Sequence, residues 1–429
     1  MVTVGRTLRM LVGAAAVACS GSTPPNETGA DAANDGLEAQ GTPSVAADAS
    51  GGPTTNVAPV VVDNGPAGVQ AVNTLYTTVT LCRPGTTICQ TIDHIEVDTG
   101  SAGVRILSSL LEPALMLPRP MAADGNPLVE CYRYADGYNW GPVATADVHI
   151  GGELAAAVPI QIAGGAGSTP IPSDCSSAGT EEDTVMALGG NGLIGIGFQT
   201  ADCGGTCAGA NPPNGAYYSC TSTACMVASL PIPQQVQNPV GLFARDNNGV
   251  AVRLPAIDPA GAATVVGSLI FGIGTAPNNG LGAAQVLTTD TTNGYFTTTF
   301  SAQSATGGPA ATLVGFIDSG SLSYALPDTS IPQCSGSAAL MGFFCPPMSL
   351  TLMATNTGHN QVSIVTSFSV AAADGLYGSG HAAFDDLAIT DFGPGGYFDW
   401  GLPFFYGRTI FSAISGAMTP GGVGPYFAY

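Results

Sequence analysis

From Thr74 onward the chain alternates polar positions with apolar and β-branched ones. The clearest runs are Leu75-Tyr76-Thr77-Thr78-Val79-Thr80-Leu81, then Ile92 and His94-Ile95-Glu96-Val97. Side chains of a strand point to opposite faces in turn, so this alternation predicts two half-buried strands. Cys82 and Cys89 bracket the short link between them, which reads as a hairpin. Further strand-like runs lie at Ala146–Ile150, Val158–Ala163, Leu193–Phe198, Val265–Phe271, Tyr295–Phe300 and Leu313–Ile317. Ser108–Met116 has the spacing of a short helix, and long amphipathic helices are scarce. The predicted class is mostly β. Ser20 to about Pro66 has no apolar period and is rich in Ala, Gly, Pro, Ser, Thr and Asp, so residues 19–66 read as a disordered tether. Asp202–Thr223, rich in Cys, Gly and Asn, reads as a surface insertion (about residues 200–225) stapled by disulfides.

Length adds a domain count. With 429 residues the chain is too long for one small core and suits two lobes, expected at 67–262 and 263–429. Ahead of the tether, Arg6 and Arg9 precede an apolar run from Met10 to Ala18, which reads as an export signal over residues 1–18 and is too short to span a bilayer. Ala16-Val17-Ala18 before Cys19 fits two processing routes: cleavage after Ala18, or lipidation of Cys19 at a bacterial lipobox. There are 11 cysteines, and setting Cys19 aside leaves an even number. Cys82/Cys89, Cys203/Cys207, Cys220/Cys225 and Cys334/Cys345 are the close pairs, which leaves Cys131 and Cys175 for each other; sequence alone does not fix the pairing. Zinc on Cys203, Cys207, Cys220 and Cys225 is the rival reading, disfavoured in the oxidising compartment an exported chain enters. The expected location is the bacterial cell envelope, at the outer membrane if lipidated, or outside the cell.

Charge narrows the partners. Lysine is absent, acidic residues number 30 and the net charge is -21, which excludes nucleic acid as an expected partner. With so few cations, few carboxylates can have an ion-pair partner, so the fold is expected to tolerate acid. The tether contains no Lys or Arg and so does not read as an inhibitory prosegment that caps carboxylates with a cation. No cofactor or metal is expected, and the membrane enters only through the N-terminal lipid.

Two segments carry the chemistry: Ile95-Glu96-Val97-Asp98-Thr99-Gly100-Ser101 and Gly315-Phe316-Ile317-Asp318-Ser319-Gly320-Ser321. Each is an apolar strand that ends in Asp, a hydroxyl residue, Gly and Ser. One copy alone is an ordinary Asx-turn at a strand end. Two copies, one in each half with the same apolar lead-in, are not explained that way. The repeat resembles the pepsin-like aspartic proteases, in which each lobe donates one Asp from such a turn. The likeness runs in order over roughly residues 72–415. Cys131-Tyr132-Arg133-Tyr134-Ala135-Asp136-Gly137 and Ala146–Gly152 resemble the flap hairpin and the strand after it, with Tyr134 at the flap tyrosine. Gly192-Leu193-Ile194-Gly195 is similar to the element that runs behind the first loop, and Gly267–Gly272 to the opening strand of the second lobe. The ending Gly424-Pro425-Tyr426-Phe427-Ala428-Tyr429 resembles that of a family of bacterial lipoproteins of unknown function.

The resemblance implies a bilobal double β-barrel with the cleft between its lobes. It implies a monomer that hydrolyses peptide bonds of an extended protein or peptide at acidic pH. Asp98 and Asp318 would activate water, Thr99 and Ser319 would brace the two loops, and Ser101 and Ser321 would bond the outer carboxylate oxygens. Gly100 and Gly320 would let the loops meet, and Tyr134 would close the flap. Three positions depart from the pattern. Arg105 replaces a tryptophan that supports the flap, so that support is expected to be lost. Leu322 stands at a common hydroxyl position. The second apolar-apolar-Gly element is either Asp399-Trp400-Gly401 or Leu376-Tyr377-Gly378. A non-catalytic peptide- or protein-binding protein on the same scaffold is the alternative. Other signals carry less: Gly190–Gly195 matches a dinucleotide fingerprint by letter but has no helix after it, and the four histidines lack ligand spacing.

Overall fold

The computed structural model describes residues 56–429 apart from 136, 168, 211, 213–214, 302–310 and 391–395. The export signal, Cys19 and most of the tether therefore lie outside the described residues. The fold is mostly β, with its strands gathered into large barrel-like sheets. The hairpin read from alternation forms as β2 (Leu75–Cys82) and β3 (Cys89–Asp98), with Cys82 opposite Cys89. Leu75, Val79 and Leu81 are fully buried on one face, as period two requires.

The tether ends earlier than its composition indicated. Val57–Val62 is strand β1, paired along its length with Val265–Phe271 and at Val61 and Val62 with β2. Ala58, Val60 and Val62 are buried, and the partner strand is about two hundred residues downstream, beyond any local pattern.

Four further strands continue the first half: β4 (Ala102–Leu107), β5 (Leu128–Arg133), β6 (Gly137–Ile150) and β7 (Glu153–Ala163). They join a 16-stranded sheet that continues through β1 to Val265–Phe271, Gly249–Arg253, Thr409–Ala413, Tyr426–Ala428 and Val286–Thr288. Hydrogen bonding thus crosses the lobe division expected at 262/263, and strands from both chain ends form the bridge. A separate 7-stranded sheet and a small 2-stranded one hold the remaining strands of the second half.

The two halves repeat one topology. β3 runs parallel to Gly192–Ile196; β4 runs antiparallel to that same strand and parallel to β7. Ala311–Ile317 runs parallel to Tyr397–Trp400; Tyr324–Leu326 is antiparallel to that strand and parallel to Ala388–Thr390. The second apolar-apolar-Gly element is therefore Asp399-Trp400-Gly401. Its rival, Leu376-Tyr377-Gly378, lies in the short helix Ala373–Gly378.

Five disulfides form: Cys82–Cys89, Cys131–Cys175, Cys203–Cys207, Cys220–Cys225 and Cys334–Cys345. They use all four thiols of the rival zinc reading. Two local expectations change. Ser108–Met116 is not one helix but two 3-10 turns, Ser108–Leu110 and Pro113–Leu115, because Pro113 lacks the N–H that a continuous helix needs. The Cys-rich insertion is not all surface: Tyr217–Cys220 is a fully buried strand paired with β5. No helix among the described residues is long and apolar enough to cross a membrane.

Candidate active site

β3 and Ala311–Ile317 each run out of a packed apolar strand into a tight turn, and the topological repeat sets the two turns against each other. Asp98 and Asp318 head them, 3% and 2% exposed, so both carboxyls sit in a largely water-free place. Each turn is closed by its own Asp: the Gly100 N–H donates to Asp98 Oδ1 at 2.7 Å, and the Gly320 N–H donates to Asp318 Oδ1 at 2.7 Å. The Ser101 hydroxyl makes a short bond to Asp98 Oδ2, and Ser321 Oγ donates to Asp318 Oδ2 at 3.2 Å.

The turns also hold each other. The Ser319 N–H donates to Thr99 Oγ1 at 2.9 Å, and the Thr99 N–H donates to Ser319 Oγ at 3.1 Å. Ser319 Oγ in turn donates to the Val97 carbonyl at 2.7 Å. The glycines permit the approach: a Cβ on Gly100 would lie 2.5 Å from Asp318 Cγ, and one on Gly320 would lie 2.7 Å from Asp98 Oδ1. The structure thus brings together the eight residues of the two motifs.

Burial pushes the Asp318 carboxyl well above the ordinary range; the neighbouring Asp98 and, less strongly, Asp399 push it further the same way. Asp399, fully buried on the strand beside Ala311–Ile317, is a third acid at this site. The sequence contained it, but as part of a motif sought for its apolar residues and glycine. A pocket beside the pair is lined by Thr99, Gly100, Tyr295, Phe316, Asp318 and Phe427.

Tyr134 lies at the end of the β5–β6 hairpin, where its N–H donates to the Gly137 carbonyl at 2.7 Å. Its ring is 4% exposed, packs edge-on against Tyr132 at 5.1 Å, and its hydroxyl donates to Asn139 Oδ1 at 2.5 Å. Tyr132, which sequence reasoning passed over, is held un-ionised above all by burial and also by the nearby Asp98. The support expected to be lost with the tryptophan concerned Tyr134; Arg105 packs against the neighbouring Tyr132. The guanidinium is fully buried, with its carbon 3.4 Å from the centroid of the Tyr132 ring, so a cation–π contact holds the hairpin instead. The signal was the alternation Glu130, Tyr132, which places two polar-tipped side chains on one face of β5, with Tyr134 just past its end. Leu322 is buried in an apolar cluster with Val72 and Phe343, a packing position with no bearing on the carboxyls.

No curated protein matches the chain in sequence. Among solved structures it is similar to the aspartic proteinase from Irpex lacteus, at 13% identity and a TM-score of 0.45, over 87% of this chain and 96% of that one. Residues 52–429 match the family model described as "Protein of unknown function (DUF3443)", and the chain belongs to that family.

Proposed function

We propose that the protein is an aspartic endopeptidase that works at acidic pH on extended protein or peptide substrates. The observation that carries this reading is the reciprocal seating of the two loops, each glycine against the other loop's carboxyl. Two carboxyls so close share one proton, because ionising both in a buried site is costly. Burial, with Asp98 beside it, raises the Asp318 carboxyl, so we assign Asp318 the role of acid and Asp98 that of base.

Asp98 takes a proton from water as the oxygen attacks the peptide carbonyl, and Asp318 gives its proton to the carbonyl oxygen. Collapse of the tetrahedral species breaks the C–N bond. The proton gained by Asp98 passes to the leaving amine, and the one lent by Asp318 returns, so the pair ends as it began. The β5–β6 hairpin acts as the flap that limits water. The five disulfides support an oxidising, extracytoplasmic setting.

The test is cleavage of an unfolded protein from pH 2.5 to 7 by wild type, Asp98→Asn and Asp318→Asn, with and without a pepstatin-type inhibitor. Acid-optimal cleavage that both substitutions and the inhibitor abolish is the expected result. A folded, oxidised wild type that cleaves nothing would overturn the reading in favour of a binding scaffold.

A further inference from the structure

A second cluster of buried ionisable groups lies outside the carboxyl pair, below the flap. Arg105 Nη2 donates to Glu130 Oε1 at 2.9 Å and to Asp202 Oδ2 at 3.0 Å. Its Nη1 donates to the Ala102 carbonyl at 2.9 Å, inside the strand that leaves the first loop. The three side chains are 0%, 1% and 3% exposed. Tyr217 braces Asp202 from the far side, its hydroxyl donating to Oδ1 at 2.6 Å. Gln161 holds the same stretch of β5 through the Glu130 carbonyl at 3.0 Å.

The charges count unevenly: one guanidinium faces two carboxyls. A buried ion pair gains little over apolar packing, and an unmatched buried charge costs a great deal, so a network kept for stability alone would be expected to balance. Glu130 Oε2 is buried with no hydrogen-bond partner, and burial holds the Glu130 carboxyl well above the ordinary range, towards its neutral form. Arg105 then needs only one ionised partner, Asp202 or Glu130. The second carboxyl is free to serve geometry. Glu130 is the member on the flap strand, and it ties that strand to the strand that follows the first Asp loop.

We propose that Glu130, through Arg105, is a positioning residue that sets the height of the flap above Asp98. The inference rests on the protease reading for its kinetic consequence, but not for its structural one. Glu130→Met cuts the tie yet leaves Arg105 matched by Asp202, so the variant keeps its charge balance. Glu130→Gln keeps an acceptor at Oε1 and restores the tie.

The experiment is amide hydrogen exchange across residues 128–140, with kinetics on one peptide substrate. In Glu130→Met, flap amides exchange about tenfold faster while the rest of the protein is unchanged, and KM rises about tenfold with a smaller loss in kcat. Glu130→Gln returns both readings to within about twofold of wild type. Glu130→Met with wild-type flap exchange would overturn the proposal, as would a Gln variant no better than Met. If the wild type has no activity the protease reading fails, and the exchange data still decide this one. Should Glu130→Met not fold, Asp202→Asn, which leaves Glu130 as the sole partner, must keep wild-type flap exchange; faster exchange there would assign the tie to Asp202 and overturn it.

Discussion

At the residue scale the site depends on two absent side chains. Gly100→Ala puts a methyl 2.5 Å from Asp318 Cγ, and Gly320→Ala puts one 2.7 Å from Asp98 Oδ1. Neither carboxyl can retreat, because each is bonded to its own loop. The loops must separate, and a misplacement of about 1 Å between reacting groups costs on the order of a hundredfold in rate. We expect either variant to lose about that much kcat while losing about 1–3 kcal/mol of stability, the usual cost of overpacking. A Gly100→Ala enzyme with wild-type kcat would show that the close contact is incidental. Asp399 supports a second prediction. Its charge helps hold the Asp318 carboxyl high, so Asp399→Asn removes one cause of the raise, and the alkaline limb of the kcat/KM profile moves to lower pH. An unmoved limb would mean that Asp399 remains neutral throughout the working range.

At the element scale, what was legible in the sequence was what a short window contains. β2 and β3 show the alternation of half-buried strands and Val265–Phe271 is a short apolar run, so all three could be read directly, as could both Asp turns, since their chemistry is local. β1 could not be read, because Val57–Val62 follows a Pro- and Gly-rich stretch and gains its order from a distant partner. Asp399-Trp400-Gly401 was ambiguous for a different reason. Its strand is only four residues long, and it is identified by lying parallel to Ala311–Ile317. Arg105 was misjudged because its partners Glu130 and Asp202 are brought to it by β5 and by a loop whose composition suggests surface. The importance of β1 can be tested alone. Val60 is 1% exposed between β2 and Val265–Phe271, so Val60→Asp buries an unpaired charge and should cost about 3 kcal/mol or more. A urea midpoint close to wild type would place β1 outside the cooperative core.

At the scale of the whole molecule the titrating groups give stability a direction with pH. Burial raises Asp318, Glu130, Asp385, Asp386, Glu153 and Glu181 above their ordinary values, and Asp386, with Asp385 beside it, is pushed up to about 6. Asp124, held by the Ser219 hydroxyl, is shifted the other way, and it is exposed. A carboxyl raised in the folded state keeps a proton that the unfolded chain releases. Unfolding then frees protons between the two values, so it becomes easier as pH rises. The stabilisation is complete below the unfolded carboxyl range, near pH 4, and for Asp386 is lost as pH rises towards about 6. Acid does not remove many ion pairs in exchange: those seen among the described residues converge on Arg105, which needs only one ionised partner, and on His94. The expected result is a melting temperature higher at pH 4 than at pH 7 by on the order of 5 °C, measured at constant ionic strength. A chain of net charge -21 also repels itself less as its carboxyls protonate, which acts in the same direction and is screened by salt. Repeating the measurement in about 0.5 M salt separates the two causes, because the long-range repulsion fades at short Debye length and the buried carboxyls remain. A pH dependence that vanishes in salt would assign acid stability to net charge alone; one that survives assigns it to the buried acids, the candidate active-site pair among them.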